Sequence, residues 1–318
     1  MVQTGTSVEV AFALNCGAGF ATVLGGMIVF SKRLVHLANP LSLAIALSIS
    51  SGVMLFISLV EMFGKSVDLL TKGIRTPDMS DETASGHGWL GATGCFAFGI
   101  VLIYAIDWVV HSFAPDTAIT ELATLDNLRT SFDHHELHTS KAPEYLEAQA
   151  PGLTVQLDEE ARAKLNRMGL LSALAIGIHN MPEGIATYVG AMRNSSVGAS
   201  LAIGIGLHNI PEGIAVATPI YFATGNRWRG IMWCCISAAA EPLGGVIAWL
   251  AVGDGLDTLS EGILLGVVCG IMVCICVKEL LPTAFKFARG KPHYVARGVF
   301  GGMFIMVTSL ILFAYIGV

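Results

Sequence analysis

Eight runs of apolar residues, each long enough to cross a bilayer, leave this chain few folds to choose from. They cover residues 8–30, 41–63, 89–110, 168–191, 197–222, 230–252, 260–282 and 297–316. A helix needs about 20 such residues to span hydrocarbon. Barrel strands would be shorter and would alternate with polar residues, so the spans read as helices. Composition agrees: 53% of the 318 residues are hydrophobic and only 13% charged, with a mean hydropathy of +0.66. The expected class is an all-α polytopic membrane protein forming one domain over residues 1–318. The 36 glycines suit closely packed transmembrane helices.

Charge sets the expected orientation. With the N-terminus outside, the inner loops hold thirteen Lys and Arg residues and the outer loops four, Lys65, Lys72, Arg75 and Arg193. That bias puts both termini on the non-cytosolic side. No Lys or Arg precedes Lys32, so the first apolar run lacks the basic flank of a signal peptide and reads as retained. The long hydrophilic segment 112–167 is then cytosolic. Its polar composition predicts disorder, with a short amphipathic helix near Leu157–Leu165 leading into the fourth span. The net charge of −6 and the lack of a basic motif exclude nucleic-acid partners. The seven cysteines lie in apolar runs without paired CxxC spacing, which excludes a zinc ribbon and reads them as small buried hydrophobes.

Against this apolar background one polar sequence occurs twice. His179-Asn180-Met181-Pro182-Glu183-Gly184 in the fourth span returns as His208-Asn209-Ile210-Pro211-Glu212-Gly213 in the fifth. Ionisable groups in hydrocarbon are expensive and usually mark function. The four-residue spacing of His and Glu stacks both on one helix face. Each proline frees the carbonyl four residues earlier, Ile178 or Leu207, and predicts a kink. Counting from the short loop between the spans, both copies lie about 15–18 Å deep at 1.5 Å per residue, half of a roughly 30 Å core. Like motifs at one depth on antiparallel helices imply a two-fold relation in the membrane plane, with binding at the midplane.

Other polar residues extend the pattern. Glu241-Pro242 repeats the carboxylate-plus-proline device near the middle of the sixth span, and Met54 is similarly deep in the second. Glu61 lies near the outer mouth and Glu279 toward the inner end of the seventh span, with Asp107 near the inner end of the third. For Glu61, Glu279 and Asp107 an interfacial carboxylate is the competing reading. In the long loop, His134, His135 and His138 form a short tract of the kind that binds metal loosely. Imidazole, carboxylate and thioether together favour a divalent transition metal such as Zn²⁺ or Fe²⁺ over Mg²⁺ or Ca²⁺. The ions would be transported substrate, with no cofactor required.

These motifs resemble the ZIP family of metal-ion transporters, particularly its bacterial ZupT-like and GufA-like branch. Ser51-Gly52-Val53-Met54-Leu55, Ala240-Glu241-Pro242-Leu243-Gly244 and Lys278-Glu279-Leu280-Leu281-Pro282 add to the doubled motif. The resemblance implies an eight-helix bundle in which spans one to three and six to eight form an inverted repeat around spans four and five. It implies movement of zinc, iron or manganese into the cytosol. It assigns one ion to His179, Glu183, His208 and Glu212 with Met54, and a second to Asn180, Asn209 and Glu241. Many relatives carry an acid at Asn209 and a glutamine at His208, and an acid is expected where Lys278 stands. The expected surroundings are a lipid bilayer, the plasma membrane rather than an endomembrane, with a homodimer admitted. Two other classes compete: an intramembrane zinc hydrolase, which the absence of HExxH disfavours, and a metal sensor built on the long loop.

Overall fold

The computed structural model describes residues 5–31, 40–113, 159–193, 195–252 and 257–316, and these form eight helical rods. Helix α1 is Gly5–Gly26, ending in a 3₁₀ stretch Met27–Phe30. Helix α2 joins Pro40–Phe56, a π-helical turn Ile57–Met62 and Phe63–Ile74. Helices α3, α4 and α5 are Asp81–Phe113, Glu159–Arg193 and Ser195–Thr224. Helix α6 joins Arg227–Ala238 and Ala240–Val252. Helix α7 joins Thr258–Ile275, a π-helical turn Cys276–Leu280 and Leu281–Phe287, and α8 is Pro292–Ile316.

The eight apolar runs all lie in these rods, but several boundaries differ. Helix α2 runs eleven residues beyond the expected Phe63. This tail is amphipathic: Lys65 pairs with Glu61 and Lys72 with Asp68 on the wet side, while Leu69 and Leu70 are buried against α7. Helix α4 begins at Glu159, so the expected short helix is the first turns of one continuous rod. Neither Pro182 nor Pro211 breaks its helix. Instead α6 breaks at Ala239, where Pro242 lacks the N–H that would bond Ala238. Six rods are long and apolar enough to cross a membrane: α1, α2, α3, α6, α7 and α8. Helices α4 and α5, which carry the doubled motif, do not meet that criterion among the described residues. Most of the long loop, with its three histidines, lies outside the described residues.

Packing sorts the rods into two groups. Helices α1, α4, α5 and α6 pack on one another; so do α2, α3, α7 and α8. The groups meet where α2 lies on α5 and α7 on α4. Between them sits an apolar cluster containing Met54, Ile57, Leu201, Ile205, Met272 and Met306, all almost fully buried. Large apolar side chains point outward around the bundle, including Leu90, Trp108, Leu250, Phe300 and Phe304. Such a belt is what lipid contact selects.

The packing repeats itself at constant offsets along the chain. A side chain at Gly213 would strike the Thr22 carbonyl of α1, and one at Gly184 the Glu241 carbonyl of α6. Gly25 abuts Ile210 as Gly244 abuts Met181, and Gly198 abuts Ala191 as Gly169 abuts Ile220. The last two contacts also make α4 and α5 antiparallel. In the other group Gly52 meets Val299 as Gly270 meets Phe96. The Cys276 thiol donates to the Ser51 carbonyl at 3.5 Å, and in the corresponding contact Cys269, the counterpart of Ser51, donates to the carbonyl of Ser58, the counterpart of Cys276, at 3.0 Å. Helices α1–α3 thus correspond to α6–α8, and α4 to α5, an inverted repeat that includes both π-turns.

Candidate metal centre

The doubled motif comes together in the first group as two crossed pairs. His208 Nε2 lies 3.0 Å from Glu183 Oε1. His179 Nε2 lies 3.3 Å from Glu212 Oε1, too poorly aligned for a hydrogen bond. Each histidine therefore faces the glutamate of the other helix, not the one stacked on its own. All four side chains are at most 3% exposed. Close approach makes this possible: only glycine at 184 and 213 lets α4 and α5 seat against α6 and α1.

The ring of His208 is oriented from behind. Its Nδ1 lies 3.1 Å from the Gly204 carbonyl, so that nitrogen carries the proton and donates it. In the neutral imidazole Nε2 is then a lone-pair acceptor facing a carboxylate oxygen, and in the imidazolium it donates to that oxygen. Two acceptors at 3.0 Å repel unless a proton or a metal cation lies with them. A carbonyl-anchored imidazole is the usual arrangement behind a metal-bound histidine. Ser50 of α2 donates to the His208 carbonyl at 3.3 Å, tying the second group to the same turn.

Beside the crossed pairs stands a second polar set. Asn209 Nδ2 donates to Glu241 Oε2 and to the Ala18 carbonyl, both at 3.0 Å. Glu183 Oε2, both Glu212 oxygens, Glu241 Oε1 and the carbonyl oxygens of Asn180 and Asn209 are buried and accept no hydrogen bond from the described residues. So many acceptors in a dry interior cost several kcal/mol each unless a cation satisfies them. Among the described residues no three His, Cys, Asp or Glu side chains already form a metal cage. The His and Glu side chains are instead turned on one another.

Not every expected ligand joins this cluster. Asn180 is fully buried but neither amide atom has a partner. Met54 lies in the adjoining apolar cluster. Glu61 sits on the π-turn of α2, paired with Lys65 at 2.7 Å. Glu279 is half-buried on the π-turn of α7, and Lys278 turns toward the Tyr104 ring, 5.2 Å from its centroid. Sequence reasoning missed Ser50 and Thr22. The last was findable: Thr22-Val23-Leu24-Gly25-Gly26 aligns with Glu241-Pro242-Leu243-Gly244-Gly245, which makes Thr22 the uncharged counterpart of Glu241.

The family model described as "ZIP Zinc transporter" matches residues 18–310. "Zinc transporter ZupT" of Chlorobaculum parvum is 38% identical over 307 residues, covering 96% of this chain and 98% of that one. The proteins of the same name from Lysinibacillus sphaericus and Streptococcus mutans are 39% and 36% identical, covering 96% and 95% of this chain and 98% and 97% of theirs. With a match of that extent across both halves of the repeat, the chain belongs to the ZIP family of metal transporters.

Proposed function

We propose that the chain carries a divalent transition metal, zinc first and iron or manganese as further substrates, across the membrane through the crossed His–Glu centre. The observation that carries this is the set of buried acceptors around His179, Glu183, His208 and Glu212. Imidazole and carboxylate together suit these ions. An arriving ion takes His208 and Glu183 from one another, and His179 and Glu212 likewise. When it leaves, each imidazole turns back to a carboxylate. The exchange keeps the unloaded ligands from being stranded in hydrocarbon, so release is not prohibitive. Asn180, Asn209 and Glu241 serve a second ion or a second stage of the same passage, and Met54 closes the centre on the α2 side. Glu61 and Glu279 mark the two ends of the path.

The loop charge bias supports both termini outside, and import toward the cytosol at the plasma membrane is the direction and location that the family resemblance implies. On this reading His134, His135 and His138 receive or sense the ion on the cytosolic side, as a short His-rich tract suits. The relatives are transporters by name, and an intramembrane hydrolase finds no support among them.

The test is reconstitution into liposomes holding a zinc-sensitive dye. Wild type gives zinc-dependent signal and Glu183→Ala none. A folded wild-type preparation without flux for zinc, iron or manganese overturns the proposal.

A further inference from the structure

Beside Glu61 stands a lysine, Lys65, outside the His–Glu centre. Glu61 is an unusual acid: its side chain is only 10% exposed, and it sits on the widened turn Ile57–Met62 rather than on regular helix. Its Oε1 is held by Lys65 Nζ at 2.7 Å, and Ser200 of α5 reaches the same oxygen at 3.5 Å. Its Oε2 is buried and has no partner among the described residues. Lys65 is a third exposed, so its ammonium can swing back to water while the glutamate cannot.

Two rungs link α2 to α5: Ser50 with His208, and Glu61 with Ser200. Ser200 precedes His208 by eight residues, about 12 Å along the helix. Met54 and Ile57, both fully buried, lie on α2 between the rungs. The upper rung therefore stands about two turns from the metal centre, on the side where α5 begins.

The inverted repeat supplies the contrast. Glu61 corresponds to Glu279, each on its π-turn, at opposite ends of the bundle. The counterpart of Lys65 is Thr283. The fold therefore places an acid at both ends and a lysine four residues on at only one.

We propose that Lys65 is a built-in competing cation, lodged at the mouth carboxylate Glu61, which an incoming divalent ion must displace to reach the oxygens of Glu61 and Ser200. This rests on the transport reading and deepens it. The displaced ammonium makes Glu61 a weak, exchanging ligand, so an ion captured at the mouth moves on toward Met54 and the His–Glu centre instead of lodging there. The pair rejects monovalent cations by the same means, since a single charge gains no more from the carboxylate than lysine does.

The experiment is initial zinc flux into proteoliposomes over a range of zinc concentrations. Lys65→Met, which keeps the aliphatic stem, lowers the half-saturating concentration by about threefold, the effect of removing a partly exposed ion pair. Lys65→Arg leaves it near wild type. Glu61→Gln raises it, and in the Glu61→Gln background Lys65→Met has no further effect. A half-saturating concentration unchanged or raised by Lys65→Met overturns the proposal. So does an equal fall in the Glu61→Gln background, which would make Lys65 a diffuse charge and not the occupant of Glu61. Absence of flux in wild type, by contrast, strikes the transport reading itself.

Discussion

The two copies of the motif are nearly identical in sequence and unlike in their surroundings. The second copy is tied down: His208 is anchored by the Gly204 carbonyl, its own carbonyl accepts from Ser50, and Asn209 is bonded to both Glu241 and Ala18. The first copy is loose: His179 Nδ1 and both amide atoms of Asn180 have no partner among the described residues. The cause lies in the flanking helices. Glu241 of α6 reaches Asn209, while its counterpart in α1 is the short, neutral Thr22. An inverted repeat can thus hold two like His–Glu pairs at its centre and still be polarised. On the proposed function, the tied copy is preorganised and the loose copy supplies ligands free to follow the ion.

The largest effects should ignore this asymmetry. Glu183→Ala and Glu212→Ala each leave a buried histidine facing nothing, and flux should fall by at least about 100-fold in both. If one variant kept substantial flux, the crossed pairs would not form a single centre. Added zinc should raise the thermal midpoint of the wild type and of neither variant. A midpoint shift that persists in either would place the ion elsewhere.

Next come the glycines, which test the repeat. Gly184→Ala and Gly213→Ala push a methyl group into the Glu241 and Thr22 carbonyls, and both should lose about 1–3 kcal/mol of stability in detergent unfolding. Gly17→Ala, which meets nothing within 4 Å, is the control. Unequal losses at 184 and 213 would show that the two halves do not pack alike.

The asparagines should then separate the copies. Asn209→Ala removes the donor to Glu241 and should cost about 1–3 kcal/mol without metal. Asn180→Ala breaks no hydrogen bond and removes two buried unpartnered amide atoms, so it should cost less than Asn209→Ala. Its effect should appear instead as weaker zinc binding in calorimetry. Equal destabilisation would erase the distinction between tied and loose copies. The smallest effect is expected at Thr22→Val, which keeps shape and removes one unpartnered hydroxyl; stability should hold or rise slightly.

Much of this was legible in the sequence, because length and polarity survive without coordinates. Eight apolar runs name the rods, and His and Glu four apart name a face. Azimuth was not legible. These helices are apolar nearly all round, so periodicity does not say which face meets which neighbour. That is why the crossing of His179 with Glu212, and Asn209 with Glu241, had to await the fold. The π-turns were hidden for a related reason: a single extra residue shifts register without changing hydrophobicity. The tail of α2 was lost because charges at Lys65, Asp68 and Lys72 read as a loop, although their spacing is that of a helix with one wet side.

The paired π-turns also show what the repeat shares and what it does not. Each stands at the corresponding place in its half, and each ends on the residue after an acid, Glu61 or Glu279. Glu241 opposite Thr22, and Lys65 opposite Thr283, are where the halves part. The matched turns put the same acid on the same widened backbone at both ends of the bundle, and the unmatched residues give the two halves different charge.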